Sequence, residues 1–339
     1  MASVRWAVGF VRIALSVGLW GLLGLGGGSA AFAATDQVTL AVYWVIGGTH
    51  TAYFVALDKG FYAASNLAVT ITRGYGSGDT IKRVAAGRAT FGVADMGALV
   101  AARGNDGVPV KAVLGVYGKA ALGLLYLRES GIKGPKDLEG RTLGRSATGA
   151  SVIMLPAFLK ANAIDRQKIK EVIVDGTALL PLLISRKVDA VTEQSIIQPR
   201  FQKAADKEGL HVLAMRYTDH GLVTHGNAVM AAEALIRDKP DLVRRFLQAT
   251  VQGLAYAFDK PDEAVEIMQK YNREVETNFG KAELLIMKGL LAEEAKANGL
   301  GYMSPATMTS TRDTVAQALE LKRAVAVEEL YTNEFLPTK

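Results

Sequence analysis

The sequence predicts an α/β protein made of two α/β units in series, followed by a region of helices. Three patterns support this fold class. Short apolar strands alternate with helices up to about residue 117, the same alternation starts again after residue 120, and from residue 240 onwards apolar residues recur at helical spacing. Because the connections between strands and helices are short, each unit is expected to hold a mostly parallel sheet built from βαβ units.

The elements follow from apolar runs and from the capping residues beside them. Ser77 or Asp79 can cap a helix from residue 80, and Asp238 with Pro240 is typical of the start of another. Strands are predicted at residues 38–44, 67–72, 89–94, 110–117, 122–127, 142–144, 171–174, 188–192 and 212–215. Helices are predicted at residues 51–62, 80–86, 97–103, 135–138, 152–162, 178–186, 198–207, 240–258, 259–271 and 281–298, with a last one starting at Ser304-Pro305.

Composition excludes several classes of protein. The chain has 339 residues, of which 50% are hydrophobic and 21% charged, as in ordinary globular proteins and unlike disordered ones. The net charge is +6 with no dense basic block, so nucleic acid is not an expected partner. There is no cysteine, which excludes disulfides, thiolate metal sites and cysteine nucleophiles. With four histidines and no converging ligand pattern, neither a metal nor a cofactor is expected.

The first 33 residues have the pattern of a secretory signal peptide. Arg5 and Arg12 supply the positive start, residues 13–25 are apolar, and Ala31 and Ala33 occupy positions −3 and −1 of a cleavage site. The alternative is a membrane anchor, but the apolar run is shorter than the roughly 20 residues that a span requires. We therefore expect cleavage after Ala33 and export to the periplasm.

Five segments, in order along the chain, resemble those of a known family. They read ALDKGFY (56–62), VAAGRATFGVAD (84–95), KDLEGRTLG (136–144), ATGAS (147–151) and ELYTNEFLP (329–337). The chain resembles the periplasmic solute-binding proteins of ABC importers for nitrate, sulfonates, taurine and thiamine-type pyrimidines. It departs from the family at Asn66, where glycine is usual, and at Thr90, where aspartate is usual. Asparagine tolerates the left-handed conformation that the turn at residue 66 needs.

The resemblance implies a type II periplasmic-binding-protein fold with two lobes joined by a hinge of two crossings, near residues 120–128 and 216–226. Lobe one would hold residues 34–125 and 222–339, with the C-terminal helices on it, and lobe two residues 126–221. It also implies a monomer without catalytic residues, which binds a small molecule between its lobes and delivers it to an ABC permease at the inner membrane.

Candidate ligand-binding residues lie after predicted strands and at helix starts, where free backbone N–H groups and side chains face a cleft. The alternatives are structural: a core tryptophan, a surface histidine, a capped turn, and acids paired with backbone N–H groups or with an arginine such as Arg200. The candidates are Trp44, His50, Ser77, Gly78, Asp79, Asp95, Tyr117, Ser146, Thr148, Gly149, Ser151, Glu193, His220 and Asn227.

The sequence leaves two classes of ligand open. Oxyanions such as sulfonate or nitrate favour helix N-termini with Arg or Lys, whereas a heteroaromatic ring favours stacking faces and carboxylates that accept its N–H groups. Trp44, Asp95 and Glu193 favour a neutral or cationic pyrimidine-like ring. An enzyme on the same fold that acts on thiamine-type pyrimidines is the alternative function, and the absence of cysteine and of a G-x-S-x-G motif disfavours it. The sequence does not distinguish a sensory role from a role in transport.

Overall fold

The computed structural model describes residues 34–291 and 293–338, so the expected signal peptide lies outside the described residues. The strands of this part are β1 (Asp36–Ala41), β2 (Leu67–Thr72), β3 (Phe91–Asp95), β4 (Val110–Gly115), β5 (Leu122–Leu127), β6 (Thr142–Arg145), β7 (Lys170–Ile173), β8 (Ala190–Gln194), β9 (Val212–Arg216) and β10 (Asn227–Ala232). They form two five-stranded sheets, in the orders β2-β1-β3-β10-β4 and β7-β6-β8-β5-β9.

Helices surround both sheets. They are α1 (Thr51–Asp58), α2 (Phe61–Ala64), α3 (Ser77–Ala85), α4 (Met96–Asp106), α5 (Ala150–Ile153), α6 (Leu155–Ala161), α7 (Gly176–Ile184), α8 (Gln198–Asp206), α9 (Glu233–Asp238), α10 (Pro240–Asp259), α11 (Pro261–Tyr271), α12 (Thr277–Gly289), α13 (Glu293–Asn298) and α14 (Pro305–Ala318). Short 3-10 helices lie at Gly48–His50, Arg128–Ser130, Pro135–Leu138, Arg166–Lys168, Ser195–Ile197, Tyr217–His220 and Val327–Glu329. Within the described ranges, no helix is long and apolar enough to cross a membrane.

The expectation of mostly parallel sheets is confirmed, with one antiparallel strand in each sheet. In the first sheet β1 pairs in parallel with β2 and β3, but β10 lies antiparallel between β3 and β4. In the second, β5 lies antiparallel between β8 and β9. β5 and β10 are the strands that the chain forms directly after it passes from one sheet to the other. Each therefore enters its sheet from the end at which the neighbouring strands finish.

Strand β10 was missed by the sequence analysis. Its sequence, NAVMAA, is buried on nearly all sides and therefore lacks the alternation of apolar and polar residues that marks a half-buried strand. The predicted helix over 51–62 is two helices, because Gly60 interrupts it with φ 73°. Asn66 has φ 56°, which confirms the left-handed turn expected there.

The chain passes between the sheets twice, at residues 116–121 and 217–226. We call β1–β4 and β10 with their helices lobe one, and β5–β9 with theirs lobe two. The two passages lie side by side, since Val116 N–H donates to the carbonyl of Asn227 (2.8 Å) and Ala120 N–H to that of Thr224 (2.9 Å). Two adjacent segments that join two bodies are consistent with the hinge that the resemblance implies.

The C-terminal helices complete the core of lobe one and reach lobe two. Phe246 of α10 stacks on Phe91 of β3 (ring centroids 4.0 Å apart) and on Tyr62 of α2 (5.4 Å). Helix α12 packs both on the Gly48–His50 turn of lobe one and on α8 of lobe two. The helices after residue 240 thus fix lobe one and form part of the boundary between the lobes.

Candidate functional site

A cavity lies between the lobes, at the ends of β1 and β8 and at the starts of α3 and α5. It leaves about 20 Å³ for the centres of water-sized molecules, which is room for about one water in this closed arrangement. Lobe one contributes to its wall Tyr43, Trp44, Gly76 and Ser77. Lobe two contributes Ser146, Gly149, Ala150, Ser151, Thr192, Glu193, Gln194 and Ile197.

Trp44 extends from lobe one across the cleft. The six-membered part of its indole faces Gly176 at the start of α7, so closely that a Cβ on that glycine would overlap the ring. Its indole N–H, which can only donate, acts on the carboxyl group of Glu193 and lowers the pKa of that group. The two ends of one side chain therefore contact two different elements of lobe two.

Glu193 is the acidic group of the cavity wall. It lies inside β8, opposite Gly123 of β5, rather than just after the strand as the sequence analysis had it. Burial raises its pKa to about 8, although Arg200, the Gln194 backbone and Trp44 act in the opposite direction. Near neutral pH this carboxyl group can therefore take either protonation state and can donate or accept a hydrogen bond.

The start of α5 brings the lobe-two candidates into the cavity. Gly149 N–H donates to Ser146 Oγ (3.1 Å), which shapes the turn before the helix. Ser151 Oγ donates to the carbonyl of Glu193 (3.0 Å) and accepts from Gly123 N–H (3.2 Å). The hydroxyl of Ser151 thus ties α5 to the strand that carries Glu193.

Lobe one holds two buried polar side chains behind the cavity wall. Asp95 caps α4 by accepting from Ala98 N–H (3.1 Å), and its own N–H donates to Ser77 Oγ (3.1 Å), a wall residue. Asn227 is paired with Asp95 across β10 and β3. Asp95 Oδ2 and both amide atoms of Asn227 are buried without a hydrogen-bond partner. Burial raises the pKa of Asp95 to about 7.

Three candidates form the rim of the cleft. Gly78 N–H donates to the carbonyl of Thr148 (3.1 Å), and Thr148 Oγ1 donates to the carbonyl of Tyr75 (2.8 Å). Asp79 accepts from Tyr75 N–H (3.3 Å) beside them. In this closed arrangement the hydrogen-bonding groups of Gly78 and Thr148 join the lobes.

Two aromatic candidates support the wall from behind. The Tyr117 hydroxyl donates to Gln194 Oε1 (3.1 Å) and so links the first passage between the lobes to a wall residue. His50 is fully buried, accepts from Gly47 N–H at Nδ1 (3.2 Å) and lies 4.9 Å from Tyr43, ring to ring. Burial and the charge of Arg200 lower its pKa to about 3, so His50 is uncharged.

His220 lies apart from the other candidates. The 3-10 turn Tyr217–His220 directs its ring towards α6, where it meets the edge of Phe158 (centroids 6.1 Å apart). It does not line the cavity. Of the fourteen candidates, six therefore lie in the wall, three at the rim, four behind the wall, and His220 outside.

The sequence analysis missed part of the wall. Thr192 and Ile197 belong to it, on either side of Glu193 and Gln194, because β8 continues to Gln194 and leads directly into the turn before α8. Tyr43 lies beyond the first strand, which ends at Ala41 and not at residue 44 as predicted. Arg200, considered as a structural partner of Glu193, is paired with Glu283 of α12 (3.1 Å). No local pattern links residues 200 and 283.

The fold and the cleft define a class of protein. Two mixed α/β lobes with a cavity between them are the type II periplasmic-binding-protein fold, as predicted. The alkanesulfonate-binding protein SsuA from Xanthomonas axonopodis pv. citri, solved with bound MOPS, has the same fold with a TM-score of 0.69. The match covers 88% of this chain and 99% of that chain at 11% identity, so the likeness concerns the fold alone.

Residues 48–264 match the family described as NMT1/THI5-like, and the chain belongs to that family. The riboflavin-binding protein RibY of Chloroflexus aurantiacus is 28% identical over 313 residues, 89% of this chain and 86% of that protein. A formylaminopyrimidine-binding protein of Halalkalibacterium halodurans is 24% identical over 247 residues, 73% of each. A protein of Legionella pneumophila named 4-amino-5-hydroxymethyl-2-methylpyrimidine phosphate synthase is 24% identical over 318 residues, 89% of this chain and 93% of that protein.

Proposed function

We propose that the protein is the extracytoplasmic solute-binding component of an ABC importer, and that it captures a neutral or cationic heteroaromatic molecule, a pyrimidine-like ring, between its lobes. One observation carries the choice of ligand. Glu193 is a buried carboxyl group beside the Trp44 indole, in a wall whose described residues include neither Lys nor Arg. A ring with N–H groups fits an acceptor and a stacking face, whereas an oxyanion meets a carboxyl group with no cation beside it.

Names of relatives support this choice. Two of the relatives described above are named for binding riboflavin and a formylaminopyrimidine, both nitrogen heterocycles. Sulfonates, taurine and nitrate remain the second choice, supported by the fold shared with an alkanesulfonate-binding protein. The synthase among the relatives keeps an enzyme acting on a pyrimidine as the alternative function, which the lack of cysteine disfavours.

Capture would work by closure of the two lobes about the paired passages at residues 116–121 and 217–226. A ligand that touches both walls binds the closed form more tightly than the open one and shifts the population towards it. A permease at the inner membrane would then recognise the closed protein. The contacts of Trp44 with Gly176 and of Thr148 with Tyr75 support this proposal, because each joins residues of different lobes.

A thermal-shift screen of residues 34–339 tests the proposal. The probes are 4-amino-5-hydroxymethyl-2-methylpyrimidine, riboflavin, taurine, methanesulfonate and nitrate, with benzoate as an aromatic ring that lacks ring N–H groups. A true ligand at 100 times its dissociation constant stabilises by about 2.7 kcal/mol, a readily measured rise of the midpoint. Stabilisation by a nitrogen heterocycle and not by benzoate supports the proposal. Stabilisation by methanesulfonate or nitrate alone would overturn the ligand class.

A further inference from the structure

A partly buried ion pair joins the lobes beside the cavity. Arg200 of α8, in lobe two, places Nη2 3.1 Å from the carboxylate of Glu283 of α12. The Glu283 side chain is 0% exposed and that of Arg200 21%. The backbone N–H groups of Gly48 and Thr49, in lobe one, act on Glu283 and lower its pKa, against the effect of burial. Its carboxylate therefore interacts with both lobes.

The ion pair belongs to the surroundings of the cavity. Ile197, which lines the cavity, lies three residues before Arg200, so the two side chains leave the same side of this helical segment. The guanidinium charge acts on Glu193, whose pKa it lowers, while the charge of Glu283 raises it. Arg200 does not line the cavity, but its charge acts on a residue that does.

Two glycines leave the space that the pair occupies. A Cβ on Gly47 would overlap the Arg200 guanidinium, and one on Gly48 would come within 2.9 Å of Glu283 Oε2. Both lie in the loop that follows Trp44. This stretch of backbone therefore lies directly against the ion pair, and any side chain here would displace it.

We propose that Glu283 is a specificity-determining residue: it binds Arg200 and withholds the guanidinium from the cleft, so that the cleft presents Glu193 rather than a cation to the ligand. The inference rests on the proposed function only in taking the cavity between the lobes as the ligand site. A guanidinium is the side chain best suited to bind sulfonate or nitrate through two parallel hydrogen bonds. A buried charge that loses its partner must find another, and an incoming oxyanion supplies one.

The variant Glu283→Gln removes the charge and keeps the size of the side chain. We expect its affinity for methanesulfonate and nitrate, measured by calorimetry, to rise at least tenfold over the native protein. The double variant Glu283→Gln with Arg200→Met is the matched control and loses this gain, because it has no guanidinium to release. Circular dichroism checks that both variants fold. A folded Glu283→Gln protein with native affinity for both anions would overturn the inference.

Arg200→Gln in the otherwise native protein gives a second test, independent of whether Glu283→Gln folds. If the guanidinium is withheld, any residual affinity of the native protein for methanesulfonate changes less than threefold in Arg200→Gln. A tenfold loss would show that Arg200 already binds the anion and would overturn the inference. The two proposals fail differently. A native protein that binds only sulfonates defeats the proposed ligand class, whereas ring binding without a change of anion affinity in Glu283→Gln defeats the role of Glu283 alone.

Discussion

Gly176, the first residue of α7, faces the six-membered ring of Trp44 with no room for a Cβ between them. Because Trp44 belongs to lobe one and Gly176 to lobe two, this contact exists only while the lobes are closed. Gly176→Ala should therefore oppose closure and weaken ligand binding by at least fivefold, measured by calorimetry with the ring compound that the screen identifies.

Gly134→Ala is the control for this variant, since nothing lies within 4 Å of the Cβ that it adds in lobe two. It should bind as the native protein does. Small-angle scattering of Gly176→Ala should show a larger radius of gyration than that of the control. Equal radii and equal affinities would mean that the Trp44–Gly176 contact does not limit closure.

Trp44 is expected to stack on the ligand. Stacking of aromatic rings adds about 0.5–1.5 kcal/mol beyond the burial of area, so Trp44→Ala should weaken binding severalfold or more. Trp44→Phe keeps an aromatic ring but removes the indole N–H that acts on Glu193. This variant should retain more of the affinity than Trp44→Ala does. Equal affinity in Trp44→Ala and the native protein would exclude stacking.

Ligand binding should depend on pH through Glu193. Its pKa is raised to about 8, so raising the pH from 6.5 to 8.5 ionises the carboxyl group and makes it a stronger acceptor for a ring N–H or a cation. Affinity for such a ligand should rise over this range, provided that the ligand itself does not titrate there. At pH 8.5 Glu193→Gln should cost about tenfold or more and should remove the dependence. For an oxyanion the trend should be reversed, with the tightest binding at low pH.

Stability without ligand should fall as the pH rises from about 5 to 8.5. The folded-state pKa values of Glu193 and Asp95, about 8 and about 7, exceed the ordinary values of 4.5 and 3.8. At a pH between the ordinary pKa and the folded-state pKa of each group, the folded state holds a proton that the unfolded chain has released. The free energy of unfolding therefore decreases as the pH rises. Glu193→Gln with Asp95→Asn should flatten this slope in urea titrations at several pH values. Glu208→Gln, at an exposed position, is the control and should leave it unchanged.

The precursor should be processed on export. The charged start, the apolar run and the Ala31-x-Ala33 pattern predict cleavage after Ala33, which leaves Ala34 as the mature N-terminus. Mass spectrometry of protein from the periplasmic fraction measures this directly. A secreted product that still begins at Met1 would contradict the prediction, and one retained in the membrane would favour an anchor instead.

The sequence by itself determined most of the elements and their order. Apolar runs and capping residues are local signals, and they located β2 and β5 to the residue and most other elements within a few residues. The same signals placed Trp44, Ser77, Ser146 and Glu193 near strand ends and helix starts, and all four lie in the cavity wall. The five motifs stand along the chain in the order expected for the family that they resemble, and this order sufficed to identify the fold.

Only the tertiary structure decided what the local signals leave out. β10 has no alternating pattern because both of its faces are buried, so the mixed sheets could not be foreseen from residues 227–232. Arg200 and Glu283 meet across 83 residues of chain, and Trp44 meets Gly176 across the cleft. Such pairings are set by how two lobes pack, and nothing in the neighbouring sequence records them. Which charges face the ligand, and which are already paired, is therefore a property of the folded chain alone.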